Sequence, residues 1–335
     1  MSGKKHQTAE LETLVARALV ASNTSAENAA SVARALVAAE IDGQKGHGLS
    51  RVAAYAAQAR SGKVDGHARP QLSRTRSASV MIDVAHGFAY PAFDLAVREL
   101  PAIAAETGMA GAGFTRSHHA GAIGLIVERI ADAGMIGLMM TNSPHAIAAW
   151  GGMRGLFGTN PIAFAAPRAG AHPLVIDLAL SEVARGKIMT AAQKGEPIPE
   201  GWAKDESGQP TTEAAAALKG TLTPIGGAKG AALALMVEIL SAALTGANLA
   251  FQASSFFDAD GAPPGIGQFL TVIDPAAFGG AAAVERIATL AQAIEDEEGA
   301  RLPGARRYAL RDAAAAEGVF VADETIKQIE AIAAG

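Results

Sequence analysis

Hydrophobic and polar positions near the amino terminus recur at helical spacing. The pattern predicts two helices between Thr8 and Glu40, separated by the polar break ASNTSAE. Within that break Thr24 and Glu27 have the spacing of a capping box, which would satisfy free amides at a helix start. A further helix is predicted in RVAAYAAQARSG, where Gly62 is placed to end it.

In the middle of the chain the hydrophobic pattern changes from helical spacing to short apolar runs. Short apolar runs bounded by Gly, Pro, Asn and Ser are typical of buried strands, and they occur in SASVMIDVAHGFAY, GMAGAGFTRS, GMIGLMMTNSP, NPIAFAAPR and PLVIDLALS. Helical patterns at Ala92–Thr107 and Ala122–Ala133 alternate with them, so the predicted class is α/β. The polar segment KGEPIPEGWAKDESGQPTT is predicted to be an exposed loop, and helical patterns return from Val284 to Ala334.

One apolar segment, GAALALMVEILSAALTGANLAF, is nearly long enough to cross a membrane. Glu238 lies in its middle, and Gly246 after Thr245 has the position of a helix stop. These residues favour a helix buried inside a soluble domain.

Composition and charge narrow the function classes. The 335 residues carry a net charge of −5, and the lysines and arginines are scattered, so no basic stripe for nucleic acid is present. The chain contains no cysteine, which excludes a disulfide framework and cysteine-ligated zinc. The opening MSGKKHQTAE lacks the apolar core of a signal peptide. We therefore expect a cytoplasmic protein with neither nucleic-acid nor membrane partners.

Two common nucleotide-binding motifs are missing. No G-x-G-x-x-G follows a predicted strand and opens a helix, because GMAGAG leads into FTRSHH. A G-x-x-x-x-G-K-[ST] loop is also absent. An ordinary dinucleotide-binding fold and a phosphate-binding P-loop are therefore not supported.

The segment IDGQKGHGLSR combines groups suited to chemistry on an anion. His47 stands between two glycines, which let backbone or ligand come close. Arg51 follows four residues later, and its planar guanidinium matches a carboxylate. Asp177 ends an apolar run, where an acid can orient a histidine. The simpler alternatives are a surface arginine on a first helical turn and an aspartate that caps a helix.

Further polar groups lie at the ends of predicted elements. His118 and His119 occur in SHHAG, and Thr159 precedes a turn in GTNP. Lys229 stands directly before a strong helix, where free amides and a lysine favour an anion. Arginines flank a Pro-Gly turn in ARLPGARRY and form a second candidate phosphate-binding site. A metal site made from the histidines and Asp177 is an alternative, but no H-E-x-x-H spacing is present, so we expect no metal.

The set of motifs resembles the malate/L-lactate dehydrogenase family of non-Rossmann, nicotinamide-dependent oxidoreductases. The resemblance covers nearly the whole length, in chain order through DGQKGHGLSR, SHHAG, GLMMTNSP, WGGMRGLFGTNPIAFAAPR, IDLALSEVARGKI, PIGGAKGAALALMVEILSAALTGA and RLPGARRY. It implies an α/β fold with a mixed sheet wrapped by helices and discontinuous domains. We expect residues 1–75 with 281–335 to form a helical substrate and dimerisation domain, and residues 76–280 a cofactor-binding domain. The resemblance also implies a homodimer whose active site uses both subunits.

The resemblance implies hydride transfer between NAD or NADP and a small 2-hydroxy/2-oxo acid of the malate, lactate or sulfolactate type. His47 matches the family's proton donor and acceptor, and Asp177 matches the acid that supports it. Arg51, Thr159 and His119 match substrate-binding positions, and in some members the histidine at the position of His119 is itself the acid/base. The expected cofactor-binding residues are His119, Ala120, Gly121, Ala122, Ile123, Ser143, Asp177, Lys229, Gly230, Arg301, Leu302, Pro303, Gly304 and Arg306.

Two departures from the family pattern affect the expected substrate. Gly46 stands where the family commonly has serine, and in cyclic-imine reductases that serine looks like part of a proton relay. Leu180 replaces the threonine of the usual Asp-x-Ala-Thr-Ser. The first departure favours an oxo acid over the alternative substrates, Δ1-piperideine-2-carboxylate or Δ1-pyrroline-2-carboxylate. A non-catalytic cofactor-binding relative is a more distant alternative.

Overall fold

A computed structural model describes residues 2–335. The helices are α1 Thr8–Val20, α2 Ala26–Ile41, α3 Val52–Ser61, α4 Ala89–Thr107, α5 Gly124–Asp132, α6 Arg185–Lys194, α7 Ala214–Lys219, α8 Ala228–Glu238, α9 Pro275–Gly279, α10 Ala282–Glu295, α11 Ala305–Glu317 and α12 Asp323–Ala334. The strands are β1 Gly3–His6, β2 Gln71–Arg76, β3 Ser79–Asp83, β4 Met109–Ser117, β5 Ile136–Thr141, β6 Ile147–Ala148, β7 Gly155–Phe157, β8 Ile162–Arg168, β9 Ala171–Leu178, β10 Ala203–Lys204, β11 Pro210–Thr211, β12 Thr221–Leu222, β13 Ile266–Ile273 and β14 Val319–Ala322.

A seven-stranded mixed sheet forms the centre of the molecule. Its strand order is β2-β3-β4-β13-β5-β8-β9, and β3 with β4 is its parallel pair. The five segments predicted as strands are confirmed as β3, β4, β5, β8 and β9. The prediction did not include β13, which arrives late in the chain and pairs between β4 and β5. The α/β class is therefore confirmed, with a central strand that the sequence pattern missed.

Helices α1 to α5 and α12 share one apolar core with this sheet. The amino and carboxyl ends meet in a two-stranded sheet, because β1 pairs antiparallel with β14 while α1 packs on α12. Residues from the first helix, such as Leu11, and from the sheet, such as Leu270, are buried in the same cluster. The division into residues 1–75 with 281–335 and residues 76–280 stays a prediction.

A smaller five-stranded sheet, β11-β10-β12-β6-β7, packs with α6 and α7 around a core of its own. The segment KGEPIPEGWAKDESGQPTT contributes β10 and β11 to it, so the prediction of an exposed loop is wrong in part. Ile198 and Ala203 from this segment are only 3% and 1% exposed. The few apolar side chains of a polar segment are sufficient to attach it to a small core.

The structure confirms one predicted helix boundary and contradicts another. Gly62 ends α3 in the left-handed conformation at φ 80°, as predicted. The predicted capping box is wrong: the cap of α2 is Ser25, whose side chain accepts a hydrogen bond from the amide of Asn28. Thr24 is buried beside Gly66, so its hydroxyl does not reach the helix start.

The apolar segment after Gly227 forms α8 and then a π-helical turn, Ile239–Ala243. The interpretation as a buried helix holds for one face, which includes Val237. It is wrong for the other face, where Ile239 is 51% and Leu244 is 61% exposed in the single chain. Across residues 2–335, none of the helices has both the length and the apolar character needed to cross a membrane.

Candidate active site

Two short turns between α2 and α3 place His47 and Arg51. The first, Lys45–His47, and the second, Leu49–Arg51, are separated by Gly48. A Cβ at Gly48 would collide with the carboxylate of Glu40, which accepts a hydrogen bond from the amide of Leu49 at 3.0 Å. This glycine is therefore required for the close approach of the turn to α2. Gly46 has no such neighbour, since a Cβ there meets nothing within 4 Å.

His47 lies against a second histidine from the end of β4. Its ring stacks on His119 with centroids 5.2 Å apart and planes 17° apart. The hydroxyl of Tyr55 lies 2.6 Å from Nδ1 of His119 and 3.1 Å from the hydroxyl of Tyr90. An imidazole that accepts at Nδ1 carries its proton on Nε2 when it is neutral. The tyrosine pair thereby orients one of the two stacked rings.

Burial keeps these imidazoles neutral. It lowers the pKa of His47 to about 4, and the positive charge of Arg51 lowers it further. Burial, and then Arg51 and Lys63, lower the pKa of the neighbouring His118 to about 3, while the pKa of His119 lies well below the ordinary value for the same first cause. Nδ1 of His47 is buried and has no hydrogen-bond partner within residues 2–335.

The Arg51 guanidinium is held on two sides and has one nitrogen without a partner. Its Nε donates to the carbonyl of Gly46 at 2.7 Å, and its central carbon lies 4.6 Å from the ring centroid of Phe257. Nη1 is buried and finds no partner in the described part of the chain. A buried donor without an acceptor is costly, so this group is suited to bind an anionic ligand.

Asp177, near the end of β9, lies against the start of α5. Its Oδ2 accepts a hydrogen bond from the amide of Gly124 at the start of α5, at 2.9 Å. A Cβ at Gly124 would lie 2.8 Å from Asp177 Oδ2, so this position requires glycine. Burial raises the pKa of Asp177. No direct hydrogen bond joins Asp177 and His47 in residues 2–335, and the supporting role of this acid stays a prediction.

Ser143 and Thr159 meet at the next strand ends. The amide of Thr159 donates to Oγ of Ser143 at 3.1 Å, and the two hydroxyl oxygens are 3.4 Å apart. The carbonyl of Thr159 also accepts from the amide of Leu180, whose own carbonyl accepts from Ile225 just before α8. Backbone bonds therefore connect the segment after Asp177 to the Thr159 turn and to the glycines that precede Lys229.

Glu238 supports this pair and was not predicted as a site residue. Its buried carboxylate accepts hydrogen bonds from the side-chain amides of Asn142 and Asn160, at 3.2 and 2.9 Å, and from the amide of Ala250. Asn142 precedes Ser143 and Asn160 follows Thr159. Burial raises the pKa of Glu238. The sequence signal that could have found it is a single acidic residue in an apolar helix, because a buried carboxylate needs hydrogen-bond donors around it.

Glycines allow close approach at the predicted cofactor segments. Gly121 has φ 66°, and a Cβ there would collide with the Tyr90 hydroxyl. At the start of α8 a Cβ on Gly230 would collide with the carbonyl of Ile225, while Lys229 is exposed. Ala120, Ala122 and Ile123, between the histidines and α5, are buried.

The Arg301–Arg306 turn places its side chains on two sides. Arg301 and Arg306 are exposed, Leu302 is buried, and Gly304 has φ 81°. The next residue, Arg307, points inward, and its buried Nη1 has no hydrogen-bond partner among residues 2–335. The structure thus brings His47, His119 and Arg51 together, whereas the Arg301–Arg306 turn forms no hydrogen bond or salt bridge with them. Within the same residues, no three His, Asp or Glu side chains are grouped closely enough to hold a metal ion.

Two stacked imidazoles, which burial keeps neutral, lie beside the unpaired Nη1 of Arg51 near the carboxyl end of β4, and this arrangement is suited to exchanging a proton with a small organic anion. Residues 6–330 match the family model described as malate/L-lactate dehydrogenase. The chain belongs to this family, as its motifs indicated. The fold of a mixed sheet wrapped by helices is confirmed, and so is a dehydrogenase that uses NAD or NADP.

Individual relatives are similar over nearly their whole length. A (2R)-3-sulfolactate dehydrogenase (NADP(+)) from Chromohalobacter salexigens is 48% identical over 302 residues, which are 90% of each chain. A Δ1-pyrroline-2-carboxylate/Δ1-piperideine-2-carboxylate reductase from Pseudomonas syringae pv. tomato is 38% identical over 97% of this chain and 95% of its own. The crystal structure of a Δ1-piperideine-2-carboxylate reductase from the same organism has a TM-score of 0.93, with 38% identity, and covers 98% of this chain and 99% of that one.

Proposed function

We propose that this enzyme transfers a hydride between NADP or NAD and a small 2-hydroxy/2-oxo acid of the sulfolactate, lactate or malate type. The observation that carries the proposal is the unpaired, buried Nη1 of Arg51 beside the neutral imidazole of His47. The 48% identical relative is named a sulfolactate dehydrogenase that uses NADP(+), which supports a substrate with a second anionic group and NADP as the cofactor.

In this proposal Arg51 binds the substrate carboxylate and His47 moves the proton. Oxidation of a hydroxy acid requires a base, and neutral His47 is in the correct state at pH 7. Reduction requires a protonated imidazole. Because the charge of Arg51 is a cause of the low pKa of His47, a bound carboxylate would offset that charge and raise the pKa toward the range needed for an acid.

His119 and Asp177 have supporting parts in the proposal. His119, held by Tyr55 and stacked on His47, fixes the position of the His47 ring beside the substrate. Asp177, held by the amide of Gly124, is the acid that supports His47 in this proposal. Thr159 contributes a hydroxyl for a polar substituent of the substrate, supported by its bond to Ser143.

The residues fit a nicotinamide cofactor at several points. Gly121 and Gly230 let these segments pack closely against Tyr90 and Ile225, and the positive charge of Lys229 lies at the amino end of α8. We propose that residues 119–123, Ser143, Asp177, Lys229, Gly230 and the Arg301–Arg306 turn hold it. When bound, the cofactor supplies or accepts the hydride.

The exposed apolar face of α8 and its π turn supports the proposed homodimer. Its members are large apolar side chains that point away from the core: Leu233, Leu235, Met236, Ile239 and Leu244. Contiguous apolar surface of this kind is typical of an interface between subunits. Mass measurement in solution tests this, and Ile239→Glu is expected to yield a monomer. A cytoplasmic location and the lack of nucleic-acid partners stay predictions from the sequence.

The deciding experiment follows oxidation of NADPH and NADH by the purified protein with pyruvate, oxaloacetate, sulfopyruvate and the cyclic imino acid. Preference for one oxo acid with NADPH is the expected result. The second candidate function, reduction of a cyclic imino acid, is favoured by the 38% identical relatives. Turnover of the imino acid alone would establish that function in place of the first. Cofactor binding without turnover of any compound would contradict both.

A further inference from the structure

The end of α3 binds a loop that lies over the candidate site. Lys63 follows the last turn of this helix, and its side chain has no exposed surface. Its Nζ lies 2.9 Å from the carbonyl oxygen of Ser255, 2.7 Å from that of Asp260, and 3.0 and 3.1 Å from the carboxylate and the carbonyl of Asp258. A buried ammonium is unfavourable unless it is paired and hydrogen-bonded. Here all four acceptors come from residues 255–260, which we call the capping loop.

Two neighbours of Lys63 strengthen the attachment. The side-chain amide of Gln58 donates to the carbonyl of Phe256 at 2.8 Å, and the hydroxyl of Ser61 donates to the carbonyl of Ala259 at 2.9 Å. Most of these acceptors are backbone carbonyls, so the contacts fix the path of the loop itself. The last turn of α3 therefore determines where the capping loop lies.

The capping loop places two aromatic rings on the candidate site. The ring of Phe256 is buried, with its centroid 5.0 Å from that of His119. The ring of Phe257 lies under the Arg51 guanidinium at 4.6 Å. Because Arg51 directly precedes α3, the same helix carries the anion-binding group at one end and the loop attachment at the other.

We propose that Lys63 is a positioning residue for substrate binding. Through the capping loop it holds Phe257 against Arg51 and Phe256 against His119, and so it sets the affinity for the anionic group of the substrate. This inference rests on the proposed function in one respect, the binding of that group at Arg51. Lys63 does not reach the pocket, and it takes no part in the proton transfer.

The test compares Lys63→Met, which removes the charge and keeps the length, with Lys63→Arg, which keeps a cation. Amide hydrogen exchange of residues 255–260 reports the loop directly and needs no activity. Steady-state kinetics then separates KM from kcat for the preferred oxo acid. For Lys63→Met we expect faster exchange in the loop, a KM raised about tenfold and a kcat changed by less than about threefold. Lys63→Arg should recover most of the affinity.

Two results would overturn the proposal: exchange in the loop that stays at the wild-type rate, or faster exchange with an unchanged KM. If Lys63→Met does not fold, Ser61→Ala removes one loop contact and should show the same effects at a smaller size. If the wild type turns over no oxo acid, the proposed function fails separately. Calorimetric titration with oxamate, a non-reducible oxo-acid analogue, then replaces KM, and equal affinity in wild type and Lys63→Met contradicts the role of Lys63.

Discussion

Replacing Arg51 by glutamine tests the anion-binding role with two independent readouts. The substitution removes the positive charge and the fork of donors, including the buried Nη1 that has no partner within residues 2–335. It also removes the Nε bond to the Gly46 carbonyl and the stacking on Phe257. The loss of two charge-assisted bonds to a carboxylate, net of those made to water, is worth about 3 kcal/mol, so we expect KM to rise about a hundredfold.

The pH profile supplies the second readout. Because the charge of Arg51 lowers the pKa of His47 below the effect of burial alone, Arg51→Gln should raise that pKa from about 4. Reduction needs protonated His47, so kcat/KM for reduction falls as pH rises through the pKa of the free enzyme. Oxidation needs the neutral form and has the opposite dependence. In the variant, the pH break, which is the pH at which kcat/KM changes, should move to a higher value for both directions.

The assay is the absorbance of reduced nicotinamide, followed in both directions across the pH range over which the protein stays folded. Arg51→Lys is the matched control, since it keeps the charge and loses the planar fork. It should raise KM without moving the pH break. An unchanged KM in Arg51→Gln would refute the assignment of Arg51 to the substrate. A break that stays in place would show that its charge does not act on His47.

Four further outcomes follow from the structure. His47→Ala should lower turnover by about 10²–10⁴-fold with little change in Tm, and near-normal turnover would transfer the proton step to another group. Gly46→Ser should keep the wild-type Tm, because a Cβ at this position meets nothing within 4 Å, and a clear drop would show a tighter turn than described. Glu238→Gln presents an amide to donors and should reduce the free energy of unfolding by about 2–4 kcal/mol, measured by denaturant titration; the exposed Glu297→Gln is its control. The pKa of His118 is about 3 in the folded state, against 6.5 for a histidine in the unfolded chain. Below pH 6.5 the unfolded chain therefore binds more protons than the folded one. The free energy of unfolding should fall as the pH is lowered from 6.5 toward 4, by about 1.4 kcal/mol per pH unit for this group. The profile of His118→Gln should be shallower, and identical profiles would contradict burial as the cause.

Local pattern in the sequence was sufficient for much of the fold. The apolar runs that became β3, β4, β5, β8 and β9 were recognisable because each is short and bounded by Gly, Pro, Asn or Ser. Gly62 ends a helix by its own conformational freedom, and the grouping of His47 with Arg51 follows from four residues of separation. Features of this kind are decided within one or two turns of chain, so neighbouring residues alone determine them.

Only the tertiary structure decided how distant segments meet. The sequence pattern did not place β13 between β4 and β5, or Glu238 between two asparagines from other strand ends. The sequence pattern gave no sign of the role of Lys63. The capping loop whose oxygens surround its ammonium lies nearly two hundred residues further along the chain. Each of these residues looks like an ordinary polar side chain in the sequence. Its meaning depends on which groups replace water around it after burial, and that is a property of the packed fold.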